Sequence, residues 1–218
     1  MNKELLHLFS SADIDRISAA VRDAESRTSG EIVPYVVAES DDYEEAEWRG
    51  AALLATLALT GTAIYDFVSA RWLLFGPAEV ALAGLLAGAL GLLLVKFVPA
   101  LKRLFAGRSL MRYRVQQRAA EAFIAEEVFA TRDRTGILLF VSVLEHQVLV
   151  VGDGGINRKV EKFEWEGVVQ QIIAGIRAGK AVDGVVAAIR SCGELLQRAG
   201  VERRPDDTDE LGNRPRPF

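Results

Sequence analysis

The sequence predicts an α/β protein whose soluble domain is split by an inserted two-helix transmembrane hairpin. Three observations carry this reading. Residues 50–70 and 78–98 are apolar runs, each about as long as the roughly 20 helical residues that cross a bilayer core, and only residues 71–77 separate them. The flanks are charged and amphipathic, as soluble protein is. The flank before the runs holds a single strand pattern and the flank after them holds two, so the lone strand must pair across the interruption. The chain accordingly divides into 1–49 and 100–202 as the two parts of one soluble domain, 50–99 as the hairpin and 203–218 as a flexible tail. The competing reading is a pair of buried helices in a soluble core, where two such long apolar runs on a short loop are rare.

From the N-terminus, residues 1–10 form a short apolar patch without the long apolar core of a signal peptide, and suit a docking helix. Residues 10–27 read as a helix, with Ser10 as N-cap and Asp13 completing a capping box. Ile14, Ile17, Val21 and Ala24 share its inner face. Thr28-Ser29-Gly30 stops it, with the glycine free to turn left-handed. Residues 31–38 read as a strand in which Pro34 cannot donate to a ladder, so the strand is expected at an edge or bulged.

The acidic run Glu39, Asp41, Asp42, Glu44, Glu45 and Glu47 leads into the first span. After the second span, residues 104–131 read as a long helix with a break allowed at Gly107. Its basic first half, Arg108, Arg112, Arg114 and Arg118, suits anionic headgroups. Residues 136–143 are nearly all apolar, as a strand covered on both faces is. Glu145-His146 turns the chain into a returning strand at 147–151. Two amphipathic helices follow, one marked by Trp165, Val168, Ile172 and Ile176, the other by Val182, Val185, Ile189 and Leu196.

The hairpin's orientation follows from its positive flanks. Arg49 precedes it, Lys96, Lys102, Arg103 and Arg108 end or follow it, and only Arg71 lies in the loop. Both termini and the soluble domain are therefore expected in the cytoplasm. Trp48 and Trp72 fall where aromatic belts belong. Ala51, Ala55, Ala58 and Thr62 on one span, and Gly84, Gly88 and Gly91 on the other, offer small-residue faces for close packing. They either close the hairpin or make a homo-oligomer seam. Asp66 lies inside the first span and is a functional candidate by position, set against an interfacial cluster with Arg71 and Glu79.

The catalytic inventory is sparse. A net charge of −4 does not point to a nucleic-acid partner. The lone Cys192 excludes an intramolecular disulfide and reads as core. His7 and His146 are the only histidines, and His146 sits in a turn. Gly152, Gly154 and Gly155 follow a strand but lack the phosphate-loop and dinucleotide patterns. Asp133 precedes one arm of the strand hairpin and Asp153 follows the other, so both fall at one end of it. Two carboxylates there, with carbonyl oxygens, suit a hard cation such as Ca2+; exposed loop acids with turn or capping duties are the alternative.

Several short segments carry a resemblance. Thr28-Ser29-Gly30-Glu31-Ile32-Val33 is similar to the opening of the TPM domain. Asp133 to Leu139, Glu145-His146-Gln147-Val148, Val151 to Ile156 and Asp209 to Pro215 resemble its later motifs in order and spacing. The resemblance implies a small mixed β-sheet between helices, an α/β/α sandwich, in a bacterial inner-membrane protein. Members of that family include acid phosphatases, calcium binders and accessory factors for membrane complexes. The expectation is a non-catalytic accessory or assembly factor acting on a membrane-protein partner, the alternative a divalent-metal-dependent phosphatase using Asp133 and Asp153.

Overall fold

A computed structural model describes residues 10–69, 76–201, 203, 210–213 and 215–217. The expectations placed on residues 1–9, His7 among them, and on Arg71, Trp72 and Asp209 lie outside these residues. In chain order the elements are α1 (Ser11–Glu25), β1 (Glu31–Val37), α2 (Glu44–Val68), α3 (Pro77–Phe97), α4 (Pro99–Ala106), α5 (Arg108–Ala125), β2 (Gly136–Ser142), β3 (Gln147–Gly152), α6 (Gly154–Asn157), α7 (Lys162–Arg177), α8 (Ala181–Arg198) and β4 (Arg216–Pro217). They fall into two compact units, Met1–Ser40 with Arg112–Phe218, and Asp41–Met111.

The first unit is built on a mixed sheet of order β3-β2-β1-β4. β2 and β3 form an antiparallel hairpin, while β1 runs parallel to β2 in the register Glu31 to Gly136 through Val37 to Ser142. The lone strand before the apolar runs thus pairs across the interruption, as its unpaired edges require. Side chains alternate between two cores, the period of a pleated strand. Ile32, Val36, Ile137, Leu139, Val141 and Val148 join Val21, Trp165, Ile172, Ile189 and Leu196 on the face covered by α1, α7 and α8. Val33, Tyr35, Val37, Leu138 and Phe140 join Val115, Ala119 and Ala122 of α5 on the other. Tyr35 and Phe140, register partners, stack with ring centroids 5.7 Å apart. All seven residues of β2 are buried, which explains its unbroken apolar run.

Local signals account for most boundaries. Ser10 caps α1 and forms the full capping box with Asp13. The Ser10 hydroxyl holds the Asp13 carboxyl below its ordinary value, so the cap's contribution is present above that value and fades as pH falls through the lowered one. Gly107, at φ +79, breaks the long basic helix into α4 and α5.

Three features differ from the sequence reading. Gly30 is not left-handed: a Cβ there would lie 2.5 Å from Leu196 Cδ1, so a larger residue would require the Leu196 side chain of α8 to shift. Pro34 lies in a strand with neighbours on both sides, tolerated because β4 pairs only opposite Tyr35 and Val36. The segment read as a flexible tail supplies that β4, with Asn213 donating to Glu25 at 2.5 Å and Arg216 to Glu126 at 2.5 Å.

Cys192 is fully buried in the first core, and burial pushes its thiol up to about 12. The thiolate is the reactive form. Iodoacetamide at pH 8 is therefore expected to leave the native protein unlabelled and to modify Cys192 only when denaturant unfolds the domain. Rapid native labelling would contradict this burial.

In the second unit, α2 and α3 pack antiparallel. The contacts run from Gly50 with Gly91 and Val95, through Ala55 with Gly88, to Leu59 with Gly84. Ala51, Ala55, Ala58 and Thr62 are buried or half-buried, as the small-residue face predicted. That face closes the hairpin. The outward faces are apolar: Leu57, Ile64, Phe67, Leu82, Leu85 and Leu90 are all exposed. Both helices are long and apolar enough to cross a membrane. Glu44, Glu45 and Glu47 fall in the first turn of α2, where negative charge suits the helix dipole. Arg49, counted above as a flanking positive charge, donates to the Phe105 carbonyl at 2.7 Å and so caps the end of α4.

Candidate functional site

The chain returns to one place at the end of the β2–β3 hairpin where Asp133 and Asp153 lie. Asp153 is buried and opens α6 as its N-cap, its carboxylate accepting from the Gly154 N–H at 2.6 Å. Its backbone N–H donates to the Gly136 carbonyl at 2.9 Å, which fastens the end of β3 to the start of β2. The carboxylate itself is occupied by Arg134, with Nη2 at 3.0 Å from Oδ1 and Nε at 2.7 Å from Oδ2. Arg134 adopts φ +58, an uncommon conformation for a side chain of this size. That turn aims its carbonyl at the Gly155 N–H, 2.9 Å away, and its guanidinium lies 5.9 Å from the Phe129 ring centroid.

Asp133 is exposed and lines a cavity of about 250 Å3 with Ser29, Thr135, Gly155, Arg158 and Lys159. Its polar wall is fixed by hydrogen bonds at the start of the two parallel strands. The Thr135 hydroxyl donates to the Ser29 carbonyl at 2.9 Å, and the Thr135 N–H to Thr131 Oγ1 at 2.9 Å. The Thr28 hydroxyl donates to the Val201 carbonyl at 2.6 Å, and Lys159 Nζ to the Gly200 carbonyl at 3.1 Å. Gly155 is glycine because a Cβ would overlap the Asp133 and Arg134 carbonyl oxygens. Gly155 therefore serves a close backbone approach in the single turn of α6.

The two aspartates share one end of the hairpin, but their roles part. Asp153 is neutralised by an arginine, and a hard cation takes six to eight oxygens. Among the described residues no group of three or more His, Cys, Asp and Glu side chains comes together as a metal site. Arg134 pairs with Asp153, and Arg158 and Lys159 line the cavity beside Asp133. A cation would have to displace Arg134 from Asp153.

At the opposite end of the hairpin a second buried carboxylate escaped the sequence reading. Glu145 accepts from the Ser142 hydroxyl and, at 2.8 Å, from the Ser40 N–H, while the Ser40 and Ser142 hydroxyls lie 2.7 Å apart. With Leu144 donating to the Ala38 carbonyl at 2.8 Å, this clamp ties the end of β1 to the hairpin turn. His146 occupies that turn at φ +52. Neither Arg134 nor the Ser40–Ser142–Glu145 group carries a sequence signal: the partners are about 20 and 100 residues apart in sequence.

The chain matches no family model, and no curated protein matches it. Among solved structures it is similar to the NMR structure of BA42 protein from the psychrophilic bacterium Bizionia argentinensis, with a TM-score of 0.59 and 20% identity over 96% of this chain and 95% of that one. At that identity the likeness is one of fold alone.

Proposed function

We propose that this protein is a non-catalytic accessory or assembly factor, a TPM-like domain held on the bacterial inner membrane to engage another membrane protein. The observation that carries this is the α2–α3 hairpin, whose small residues face each other and whose large apolar side chains face outward. An exposed apolar surface of that extent calls for lipid or a protein partner. An antiparallel pair that crosses the bilayer returns the chain to its starting side, and the positive charges of Arg49, Lys102 and Arg103 beside it support a cytoplasmic location for both termini. The segments resembling TPM motifs support the domain reading, since they form the starts of β1 and β2, the hairpin turn and the β3–α6 junction.

A reporter fused after Phe218 is expected to be active in the cytoplasm and silent when only periplasmic folding is scored. Photocrosslinking in intact membranes is expected to recover a stoichiometric membrane-protein partner. Periplasmic reporter activity overturns the topology, and crosslinking that recovers no partner overturns the accessory role.

The second reading, a divalent-metal-dependent phosphatase, draws on Asp133 and Asp153 lying at one end of the hairpin, and requires Ca2+ or Mg2+ to take the place of Arg134. Its test is a thermal melt of the wild type, Asp133→Asn and Asp153→Asn with each ion. A ligand specific for the folded state raises Tm with concentration. A saturating rise abolished in both variants, together with hydrolysis of p-nitrophenyl phosphate, favours this reading; a flat titration and no hydrolysis remove it.

A further inference from the structure

Between α2 and α3, toward their loop ends, an open groove of about 700 Å3 is lined by Ala55, Leu59 and Asp66 on one helix and Pro77, Ala81 and Gly84 on the other. Ala55, Leu59 and Asp66 stand on one face, and the eleven steps from Ala55 to Asp66 span roughly 16 Å of helix at about 1.5 Å per residue. Among the described residues the lining is almost wholly apolar, with Asp66 the one ionisable member. Asp66 Oδ1 is buried and receives no hydrogen bond. In a bilayer a carboxylate in this position is costly unless something pairs with it.

We propose that this groove receives a transmembrane helix of the partner protein, and that a lysine or arginine on that helix pairs with Asp66. The inference rests on the membrane-hairpin reading and names the chemistry of its partner. Three observations select this occupant. Its lining residues on α2, Ala55, Leu59 and Asp66, are spread over about three turns of helix, longer than one lipid headgroup. Its walls include the exposed Ala81, a small residue that lets a helix backbone approach closely in lipid. Its charge is negative, and Glu79 in the first turn of α3 adds a second carboxylate at the same end of the hairpin. A second copy of this chain docking by the same groove would bring two Asp66 carboxylates together, so the complementary partner is a basic helix from a different protein.

The test uses the full chain reconstituted in phosphatidylcholine vesicles, with a fluorescent donor at its C-terminus. Integration is scored first, by resistance to carbonate extraction. A chain that washes off overturns the membrane reading, whereas one that stays tests the groove alone. The probes are two acceptor-labelled leucine–alanine peptides of about 20 residues, one with a single lysine about one turn from its end and one with leucine there. Energy transfer is expected to show the lysine peptide binding wild type about tenfold more tightly than the leucine peptide, the size of one interhelical polar contact in lipid. Asp66→Asn and Asp66→Leu are expected to bring both peptides to the same level, while Glu79→Gln keeps the preference. Equal binding of the two peptides to the integrated wild type overturns the proposal. So does a preference that survives Asp66→Leu, one lost when phosphatidylethanolamine replaces the choline lipid, or transfer between two copies of the chain that Asp66→Asn removes.

Discussion

Gly136→Ala is expected to lower the stability of the sheet unit by about 2–3 kcal/mol, the upper range for overpacking a close-packed site. Gly136 opens β2, the strand between β1 and β3. A Cβ on it would overlap the Val128 carbonyl oxygen and lie 2.9 Å from Val128 Cγ1. Val128 is fully buried, so relief requires shifting either β2 or the 128 backbone. Shifting β2 disturbs its register with two strands, and the Gly136 carbonyl also accepts from the Asp153 N–H. A fall in Tm of roughly 5–10 °C follows for a domain of this size. The contrasting variant is Gly167→Ala in α7, where a Cβ meets nothing within 4 Å; it is expected to stabilise by up to about 1 kcal/mol, because glycine is a poor helix residue. Circular dichroism melts of both variants check the pair. Equal Tm values for Gly136→Ala and wild type would contradict the packing at the start of β2.

Gly91→Leu is expected to separate α2 from α3. A Cβ at Gly91 would overlap the Gly50 carbonyl oxygen and lie 3.1 Å from Ala51 Cα, so backbone meets backbone with no side chain between. Helices in lipid associate through such close approach rather than through a hydrophobic drive. Leucine would push the pair apart by roughly 2 Å, toward the usual 8–10 Å interaxial spacing. Spin labels on Leu53→Cys and Leu90→Cys read the change, since both sites face outward and Cys192 is inert in the native domain. The inter-label distance is expected to lengthen and broaden in Gly91→Leu. Gly88→Ala is expected to leave it unchanged, because its Cβ would sit 3.5 Å from Ala55 Cβ, an ordinary contact. An unchanged distance in Gly91→Leu would show that Gly91 does not set the hairpin's packing.

Much of the architecture was legible because its signals are local. The capping box at Ser10 and Asp13 marks a helix start, and the uninterrupted apolar run of β2 reports burial on both faces. The small residues facing each other on α2 and α3 report close approach in the same way. That β1 joins the later strand hairpin followed from an elimination, since one strand on its own has no partner; that it pairs with β2 was decided by the fold. What could not be read was every contact made by a side chain to a distant loop. Arg134 neutralises Asp153, although nothing in the Asp133-Arg134-Thr135 stretch says which neighbour the arginine reaches. Glu145 reads as a turn acid, and only the fold brings Ser40 to it from the other side of the hairpin interruption. Pro34 signals an edge correctly in chemistry, but the chain's last strand arrives to cover part of that edge.

The sequence by itself determined the two long apolar helices, most of the other elements and which of their faces are apolar, because these depend on periodicity and length. Tertiary structure decided the fates of the two aspartates, the docking of the C-terminal segment and the lone carboxylate in the α2–α3 groove. Those depend on which polar groups meet once apolar faces are buried, and a hydrogen bond or ion pair is selected by distances of 2.5–3.0 Å that no spacing along the chain encodes.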